Sequence, residues 1–266
     1  MSSDQKFKTE KDLKPLIDGD VLTYRCGFAA DGQIKGRIKN DYPGITADEI
    51  QKYMDDTEYT ALALQNVKTV LEAAVDRFNP EYKLFVHDKG NFRFDLATIK
   101  PYKGNRVDAR KPKYYQEMKE YMFDVWKAIP VRGQESDDAI GIEQFDNSDK
   151  YTVIYSIDKD MLTIPGWHYN WVKGELHYQT FNEANLFLFW QMMVGDPTDN
   201  IPGINKVGAV TATKILNEEG RDLDKVREVV KGLFERQYGS DWERAYHEVG
   251  NLLYIRRKPE EECPIL

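Results

Sequence analysis

The stretch Leu13-Lys-Pro-Leu-Ile-Asp18 has the pattern of a short β-strand that ends in an acidic residue. Lys83-Leu-Phe-Val-His-Asp88 and Tyr151-Thr-Val-Ile-Tyr-Ser-Ile-Asp158 repeat this pattern, and residues 168–172 predict a fourth strand. Between the first two strands, residues 58–78 carry apolar side chains three and four positions apart, which predicts a helix. Strands that alternate with helices predict an α/β fold with a central, mostly parallel sheet and helices on both faces.

In parallel sheets, side chains at the carboxyl ends of the strands meet at one edge, where ligands bind. The acids expected there are Asp18, Asp20, Asp88, Glu135, Asp137, Asp138, Asp158, Asp160, Asp196 and Asp199. So many carboxylates do not ionise together in a cleft without cations that compensate them. Oxygen ligands favour Mg²⁺ or Mn²⁺, and two such ions can activate a water and stabilise the leaving oxygen in phosphodiester cleavage. Each acid alone also fits a turn, a helix cap or a solvated surface, but their recurrence after apolar strands favours a metal site.

A basic segment, residues 100–113, lies within a chain that carries 37 Lys and Arg against 45 Asp and Glu, a formal charge of −8. Its cations are Lys100, Lys103, Arg106, Arg110, Lys111 and Lys113, and Asp108 is its acid. With Tyr102, Tyr114 and Tyr115 nearby, the segment suits single-stranded nucleic acid, with cations on phosphates and rings on bases. A solvated, flexible loop explains the charge run equally well.

A glycine-punctuated turn follows Asp196 and Asp199 and includes Gly203 and Gly208. Backbone N–H groups at such a turn can hold a phosphate. The turn is not a nucleotide-hydrolysing P-loop, because Ala209-Val210 stands where that motif requires Lys and Ser or Thr. A simple connection between helices would explain the glycines but not the two acids.

The pattern of the chain changes near residue 180, after which helical stretches dominate. We expect one domain over residues 1–180 and a helical subdomain over residues 181–266. Residues 28–57 lack sustained periodicity and predict an irregular insertion.

The composition excludes several classes of protein. Cys26 and Cys263 are too far apart in sequence to suggest a disulfide framework or a CxxC zinc site. The charged start has no apolar signal region, and no apolar run approaches the ~20 residues that a bilayer requires. We therefore expect a globular protein of the cytoplasm, with no membrane partner.

Six motifs occur together in the order of one known family: LIDGD, VHDKGNFR, PYKGNR, GQESDD, SIDKD and GDPTDNIPG followed by VGAVTA. They extend from Leu16 to Ala212. This joint pattern resembles the 5′ nuclease family, which comprises flap endonucleases, bacteriophage 5′-3′ exonucleases and the 5′ nuclease domain of bacterial DNA polymerase I.

The resemblance implies a metal site of two parts beneath an arch in residues 100–125. The first part would comprise Asp18, Asp88, Glu135 and Asp137, and the second Asp138, Asp158, Asp160, Asp196 and Asp199. Asp20 departs from the usual residue and would be an additional outer acid. Lys103 and Arg106 would reach the scissile phosphate and stabilise the charge of the transition state, beside the catalytic acids Asp18 and Asp88. Tyr102 would stack on a neighbouring base.

The same resemblance implies a helix-hairpin-helix-like element that grips duplex DNA at the turn 203–212. K⁺ would be bound there by main-chain carbonyls near Val207, although Lys206 stands where the family usually has glycine. The residues expected to bind DNA are Arg93, Tyr102, Arg110, Lys111, Gly203, Lys206, Gly208, Thr211 and Lys214.

The function implied is that of a Mg²⁺-dependent 5′-3′ exonuclease and flap endonuclease in DNA replication or repair, for which Mn²⁺ could substitute. Its substrates would be DNA with 5′ ends, flaps or nicks, with RNA–DNA hybrids as a further substrate and a replication polymerase as a partner. It would act in the cytoplasm, or in the host cytoplasm if the chain is viral. Two alternatives are a haloacid-dehalogenase-type phosphatase, since Asp18-Gly-Asp20 imitates its nucleophile and acid, and a non-catalytic protein that binds branched DNA.

Overall fold

The structure is a computed structural model that describes residues 9–106, 109–146 and 151–266. Val107 and Asp108, within the predicted arch, lie outside the described residues. In chain order the elements are β1 (Lys14–Asp18), α1 (Gly19–Asp41), α2 (Ala47–Asp56), α3 (Thr60–Arg77), β2 (Lys83–Lys89), α4 (Arg93–Leu96), α5 (Tyr115–Asp124), β3 (Ile129–Arg132), α6 (Ser136–Asp146), β4 (Thr152–Tyr155), β5 (Gly166–Asn170), β6 (Glu175–Gln179), α7 (Phe181–Val194), α8 (Ala209–Glu218), α9 (Leu223–Tyr238) and α10 (Trp242–Leu253).

The sheet has the strand order β3-β2-β1-β4-β5-β6. Its first five strands are parallel, and β6 pairs antiparallel with β5. The predicted mostly parallel sheet is therefore confirmed, with β3 and β6 as strands that the sequence did not indicate. The strand order reverses between β1 and β4, and a crevice for ligands forms at such a reversal, outside the carboxyl ends of the strands.

The junction of β1 and α1 fixes the first acid at this crevice. Asp18 ends the strand and caps the helix, with its Oδ1 accepting a 3.2 Å hydrogen bond from the amide of Val21. A Cβ on Gly19 would lie 2.5 Å from the Val86 side chain and 2.7 Å from the carbonyl oxygen of Phe85. Only glycine therefore lets the chain turn into the helix so close to β2.

Residues 28–57 are not an irregular insertion, and that prediction is wrong. α1 continues to Asp41, and α2 begins after Thr46, whose hydroxyl accepts a hydrogen bond from the amide of Glu49 in a capping box. Buried Ala30, Ile34 and Ile38 lie at helical spacing along α1 and pack into the core. The stripe is hard to recognise because polar residues and glycines surround it, and tertiary packing, more than local propensity, stabilises such a helix.

Apolar side chains cover both faces of the sheet, as predicted. Neighbouring side chains of β1 point to opposite faces of the sheet. Ile17 packs into the core with α1 and α3, and Leu16 packs into a smaller core with Ile140 of α6. A further core joins α7 to α10 and includes Tyr102. The division of the chain near residue 180 stays a prediction.

The predicted arch has no helix in the described residues before Tyr115. Its helical part is α5, whose Met118 and Met122 are fully buried against the core shared with α1 and α3. The segment reaches α5 by way of Pro112, which packs so tightly on α1 that a Cβ on Gly27 would lie 2.5 Å from it. Among all described residues, no helix is long and apolar enough to cross a membrane.

Candidate active site

An open cleft of about 1220 Å³ lies at the carboxyl ends of β1 and β4. Eight of the ten acids singled out in the sequence line it: Asp18, Asp20, Glu135, Asp137, Asp158, Asp160, Asp196 and Asp199. They reach it from the strand ends, from the first turn of α6, from the turn after β4 and from the turn after α7. The fold therefore brings together acids that are up to 181 positions apart in the chain.

Asp18 and Asp137 are the acids of this cluster whose pKa values their surroundings raise most clearly. Burial, reinforced by the charges of Asp20 and Asp158, raises the pKa of Asp18 to about 7, although a 2.9 Å hydrogen bond from Ser156 opposes the shift. Burial and the neighbouring charges of Asp18 and Asp158 also raise the pKa of Asp137 well above its ordinary value. These carboxylates need cations if they are to be ionised together at neutral pH.

Asp158, Asp160 and Asp196 continue the cluster along the next wall. Asp158 accepts a 2.9 Å hydrogen bond from the amide of Asp160, and Asp196 accepts a 2.7 Å bond from the amide of Thr198. Burial and the charge of Asp158 raise the pKa of Asp160 to about 6, despite Lys159 at 3.0 Å. Backbone amides hold two of these carboxylates in place.

Glu135 and Asp199 lie at the rim, where cations accompany them. Lys103 forms an ion pair with Glu135, and Arg106 forms one with Asp199. Burial alone would raise the pKa of Glu135, but the charges of Arg93 and Lys103 outweigh it and lower that pKa. Both predicted phosphate ligands, Lys103 and Arg106, therefore lie on the wall of the cleft.

Tyr102 is placed differently from the prediction. Tyr102 is only 4% exposed, and its hydroxyl, with one proton to donate, bridges carboxylate oxygens of Glu135 at 2.9 Å and Asp199 at 2.7 Å. A ring enclosed in the core of the C-terminal helices cannot stack on a base, so the predicted stacking role is wrong. Tyr102 instead orients the two rim acids.

Arg93 and Asp138 form a buried pair that does not line the cleft, which corrects two predictions. The guanidinium donates to both Asp138 oxygens, at 2.6 and 2.9 Å, and Arg93 is only 2% exposed. The amides of Glu135 and Arg256 also donate to Asp138. With its oxygens occupied, Asp138 is not available to a metal, and buried Arg93 is not available to DNA.

Asp88 also lies outside the cluster. Successive side chains of a strand point to opposite faces, and here His87 lines the cleft while Asp88 is exposed and pairs with Arg132 at 2.6 Å. Hydrogen bonding to Arg132 lowers the pKa of Asp88. The placement therefore contradicts the predicted role of Asp88 as a catalytic acid and metal ligand.

Asp20 takes a more central position than the sequence indicated. It accepts hydrogen bonds from the amide of His87 at 3.1 Å and from the Ser136 hydroxyl at 2.6 Å. It thereby ties the first turn of α1 to the end of β2 and to the start of α6. The sequence indicated Asp20 as a site residue because it lies two positions after Asp18. Nothing in the sequence indicated Ser136.

Aromatic residues form another wall, of which the sequence indicated only Tyr115. Tyr24, Phe28, Tyr115 and Trp171 line the cleft, and the rings of Tyr24 and Tyr115 lie 5.3 Å apart. Tyr24 and Phe28 are four residues apart on α1 and therefore share one face of that helix. Because residues 28–57 were interpreted as irregular, this helical spacing was not recognised.

The remaining predicted DNA ligands lie in two places. Arg110 approaches Asp31 of α1 at 3.5 Å, and the Lys111 ammonium lies 4.5 Å from the centre of the Tyr115 ring. At the turn before α8, Lys206 has the left-handed φ of +65° that favours glycine.

Gly203 packs against the backbone of Val194 with no room for a Cβ. Gly208 precedes the first turn of α8, where Thr211 is exposed, and Lys214 pairs with Glu218 at 3.5 Å. The turn and α8 thus present backbone amides and Lys206 to solvent.

The chemistry of the cleft fits divalent cations. Its buried groups are carboxylates that raise one another's pKa, which is the donor set that Mg²⁺ and Mn²⁺ prefer. Within the described ranges, no three His, Cys, Asp or Glu side chains already surround a single point as ligands.

Comparisons with known proteins agree with the fold, although no family model matches the chain. Over 238 residues it is 26% identical to DNA polymerase I of Streptococcus pneumoniae serotype 4, an alignment that covers 82% of this chain and 25% of the polymerase. It is 30% identical over 165 residues to an exodeoxyribonuclease of Enterobacteria phage T3, which covers 57% of this chain and 54% of the phage protein.

A T5 5′-exonuclease structure with bound zinc has the same fold, with a TM-score of 0.55 and 16% identity over 90% of this chain and 88% of that one. The fold and the cleft define an α/β protein with an acidic site at the reversal of its strand order. The chain is therefore similar in sequence to DNA polymerase I and to phage exonucleases, and similar in fold to a T5 5′-exonuclease. It spans about a quarter of the length of the polymerases that it matches.

Proposed function

We propose that this chain is a metal-dependent 5′-3′ exonuclease and structure-specific flap endonuclease that hydrolyses phosphodiester bonds of DNA. The observation that carries this proposal is the set of buried carboxylates, with raised pKa values, on the same cleft as Lys103 and Arg106. Acids without cations would repel a phosphodiester, and cations without acids would only bind it. The combination suits hydrolysis.

The residues that would hold divalent cations are Asp18, Asp137, Asp158, Asp160 and Asp196, with Glu135 and Asp199 at the rim. Bound there, Mg²⁺, or Mn²⁺ in its place, would lower the pKa of a water and neutralise charge on the phosphate. Ser156 orients Asp18 of this set through its hydrogen bond. Asp88 and Asp138 are not included, because neither lines the cleft and each is paired with an arginine outside it.

Lys103 and Arg106 would bind the scissile phosphate and stabilise the charge that develops on it. In the structure their charges are balanced by Glu135 and Asp199. A phosphate that enters the cleft would offer these cations a second partner. The rim acids would then be free to turn towards the cluster.

The substrates proposed are DNA strands with a 5′ end, a flap or a nick, with RNA–DNA hybrids as a further substrate. The exposed start of α8 would bind the duplex backbone, because Val210 is 86% exposed and the first amides of the helix have no side-chain cap. K⁺ at the turn 203–212 and a replication polymerase as a partner belong to the same proposal.

The test uses a 5′-labelled flap substrate and a nicked duplex, each incubated with the purified protein and either Mg²⁺ or EDTA. We expect short products from the 5′ end, or cuts at the branch, only with Mg²⁺. Intact DNA in every lane would contradict the proposal. Turnover of a small aryl phosphate under the same conditions would instead favour phosphatase chemistry.

A further inference from the structure

The cleft continues beyond the acids into a groove between α1 and α3, which we call the side groove. Its walls are Arg25, Phe28, Ala29 and Gln33 of α1, Asn66, Thr69 and Val70 of α3, and Trp171 after β5. This end of the cleft has no carboxylate among its lining residues in the described chain. It therefore suits a different part of the substrate from the phosphate that is cut.

The α1 wall combines an aromatic platform with a cation. Phe28 is 42% exposed although it lies beside the main core, and Arg25 precedes it by three positions on the same face of the helix. Trp171 faces the groove from the sheet side and stacks on Tyr155, with their planes 8° apart. Rings bind nucleobases through their faces, and a guanidinium binds a phosphate.

The α3 wall adds hydrogen-bonding groups suited to the edge of a base. Nδ2 of Asn66 donates to Oε1 of Gln33 and to the carbonyl oxygen of Cys26, both at 3.3 Å. Among the described residues, no hydrogen bond uses Oδ1 of Asn66 or Nε2 of Gln33. The pair thus offers one acceptor and one donor, and base edges carry the complementary groups.

The distance from the acids suits a neighbouring nucleotide. Phe28 lies ten residues along α1 from Asp18, which corresponds to about 15 Å at 1.5 Å per residue. A strand held at the acids by its scissile phosphate could extend along α1 for this distance. A whole duplex would be too wide for a groove between two adjacent helices that contact each other.

We propose that the side groove binds one unpaired nucleotide of the substrate strand, close to the bond that is cut. Its base lies on Phe28 with the Asn66 and Gln33 amides at its edge, and its phosphate lies on Arg25. This inference rests on the proposed nuclease function and names a specificity subsite for it.

The test is a set of flap substrates in which a single abasic site is moved one position at a time across the cleavage junction. We compare kcat/KM of the wild type, Phe28→Ala and Tyr53→Ala. Tyr53 is the matched control because it is 42% exposed, as Phe28 is, and stacks on Tyr42 instead of lining the cleft. An Asn66→Leu variant, measured on substrates that differ only in the base at the sensitive position, tests the edge contacts.

We expect an abasic site at one position to reduce wild-type kcat/KM about tenfold, as the loss of a base stacked on an aromatic ring does. Phe28→Ala should lose a similar factor on intact DNA and be insensitive to the abasic site, whereas Tyr53→Ala should behave as the wild type. Equal sensitivity of Phe28→Ala and wild type, or no sensitive position in the wild type, would overturn the subsite while leaving the nuclease function intact. A wild type that cuts no substrate would overturn both.

Discussion

The Ser156 hydroxyl donates a 2.9 Å hydrogen bond to Oδ2 of Asp18 and so joins the ends of the two strands between which the strand order reverses. This bond favours the ionised form of Asp18, whose pKa burial and nearby acids raise to about 7. Ser156 thereby helps to keep a carboxylate available to a cation near neutral pH.

Removing this hydroxyl should weaken metal binding. In Ser156→Ala the pKa of Asp18 rises further, so a smaller fraction is ionised at pH 7. We expect the Mg²⁺ concentration for half-maximal cleavage to rise about tenfold, and the difference to shrink at pH 9. Ser240→Ala, at an exposed position, is the control. An unchanged Mg²⁺ requirement would show that Ser156 does not support Asp18.

The raised pKa values predict how stability changes with pH. Asp18 and Asp160 have folded-state pKa values of about 7 and about 6, above the ordinary value of 3.8. The folded protein therefore binds protons more tightly than the unfolded chain, and this stabilisation is complete below about pH 4 and lost as the pH rises through 6 and 7.

In EDTA, the melting temperature should fall between pH 5 and pH 8 because of these acids, and Mg²⁺ should restore much of the loss at pH 8. The melting temperature of Asp18→Asn should fall less than that of the wild type, since the asparagine has no proton to lose over this pH range. Thermal unfolding followed by circular dichroism measures all three. If the melting temperature in EDTA is the same for Asp18→Asn and the wild type at each pH, ionisation of Asp18 does not destabilise the folded protein.

The Arg93–Asp138 pair should serve stability more than DNA binding. Arg93→Met leaves the charge of Asp138 buried without its partner, which costs about 3–5 kcal/mol. Urea denaturation should show this loss in the free energy of unfolding, while Arg37→Met, at an exposed position on α1, should change it by less than about 0.5 kcal/mol. If Arg93→Met has unchanged stability but binds DNA more weakly, Arg93 contacts DNA, and its main role is not to stabilise the fold.

Lys103 should act mainly on the rate of cleavage. Lys103→Ala removes a cation from the wall of the cleft, and loss of one such group costs roughly 10²-fold in rate. Single-turnover cleavage of a bound flap separates this effect from binding, and Lys39→Ala, an exposed lysine on α1, is the control. A loss confined to DNA affinity would make Lys103 a binding residue only.

The sequence predicted those parts of the fold in which a regular apolar pattern coincides with an element. α3 begins within two residues of the predicted helix, β1 and β4 each lie within a predicted strand, and β2 extends one residue beyond its prediction. α1 was missed because its apolar stripe is interrupted by polar residues, and β6 because most of its residues are exposed. Tertiary packing decides these elements, and no short window of sequence contains it.

The motifs predicted which acids meet but not which way each one points. Asp137 and Asp138 are neighbours in the sequence, yet one lines the cleft and the other pairs with Arg93. His87 and Asp88 separate in the same way across the pleat of β2. A shift of one residue reverses the direction of a side chain on a strand and rotates a side chain on a helix by about 100°. A motif therefore does not show which of two neighbouring residues faces the cleft.

The most direct test of the central claim is single-turnover cleavage of a 5′-labelled flap by the wild type and by Asp158→Asn, each with Mg²⁺ and with EDTA. Asp241→Asn is the matched control, since Asp241 is exposed, pairs with Arg244 and does not line the cleft. We predict that wild type and Asp241→Asn cut the flap only with Mg²⁺, and that Asp158→Asn folds normally but cuts at least about 10²-fold more slowly. Full activity of Asp158→Asn, or cleavage by the wild type in EDTA, would contradict the account.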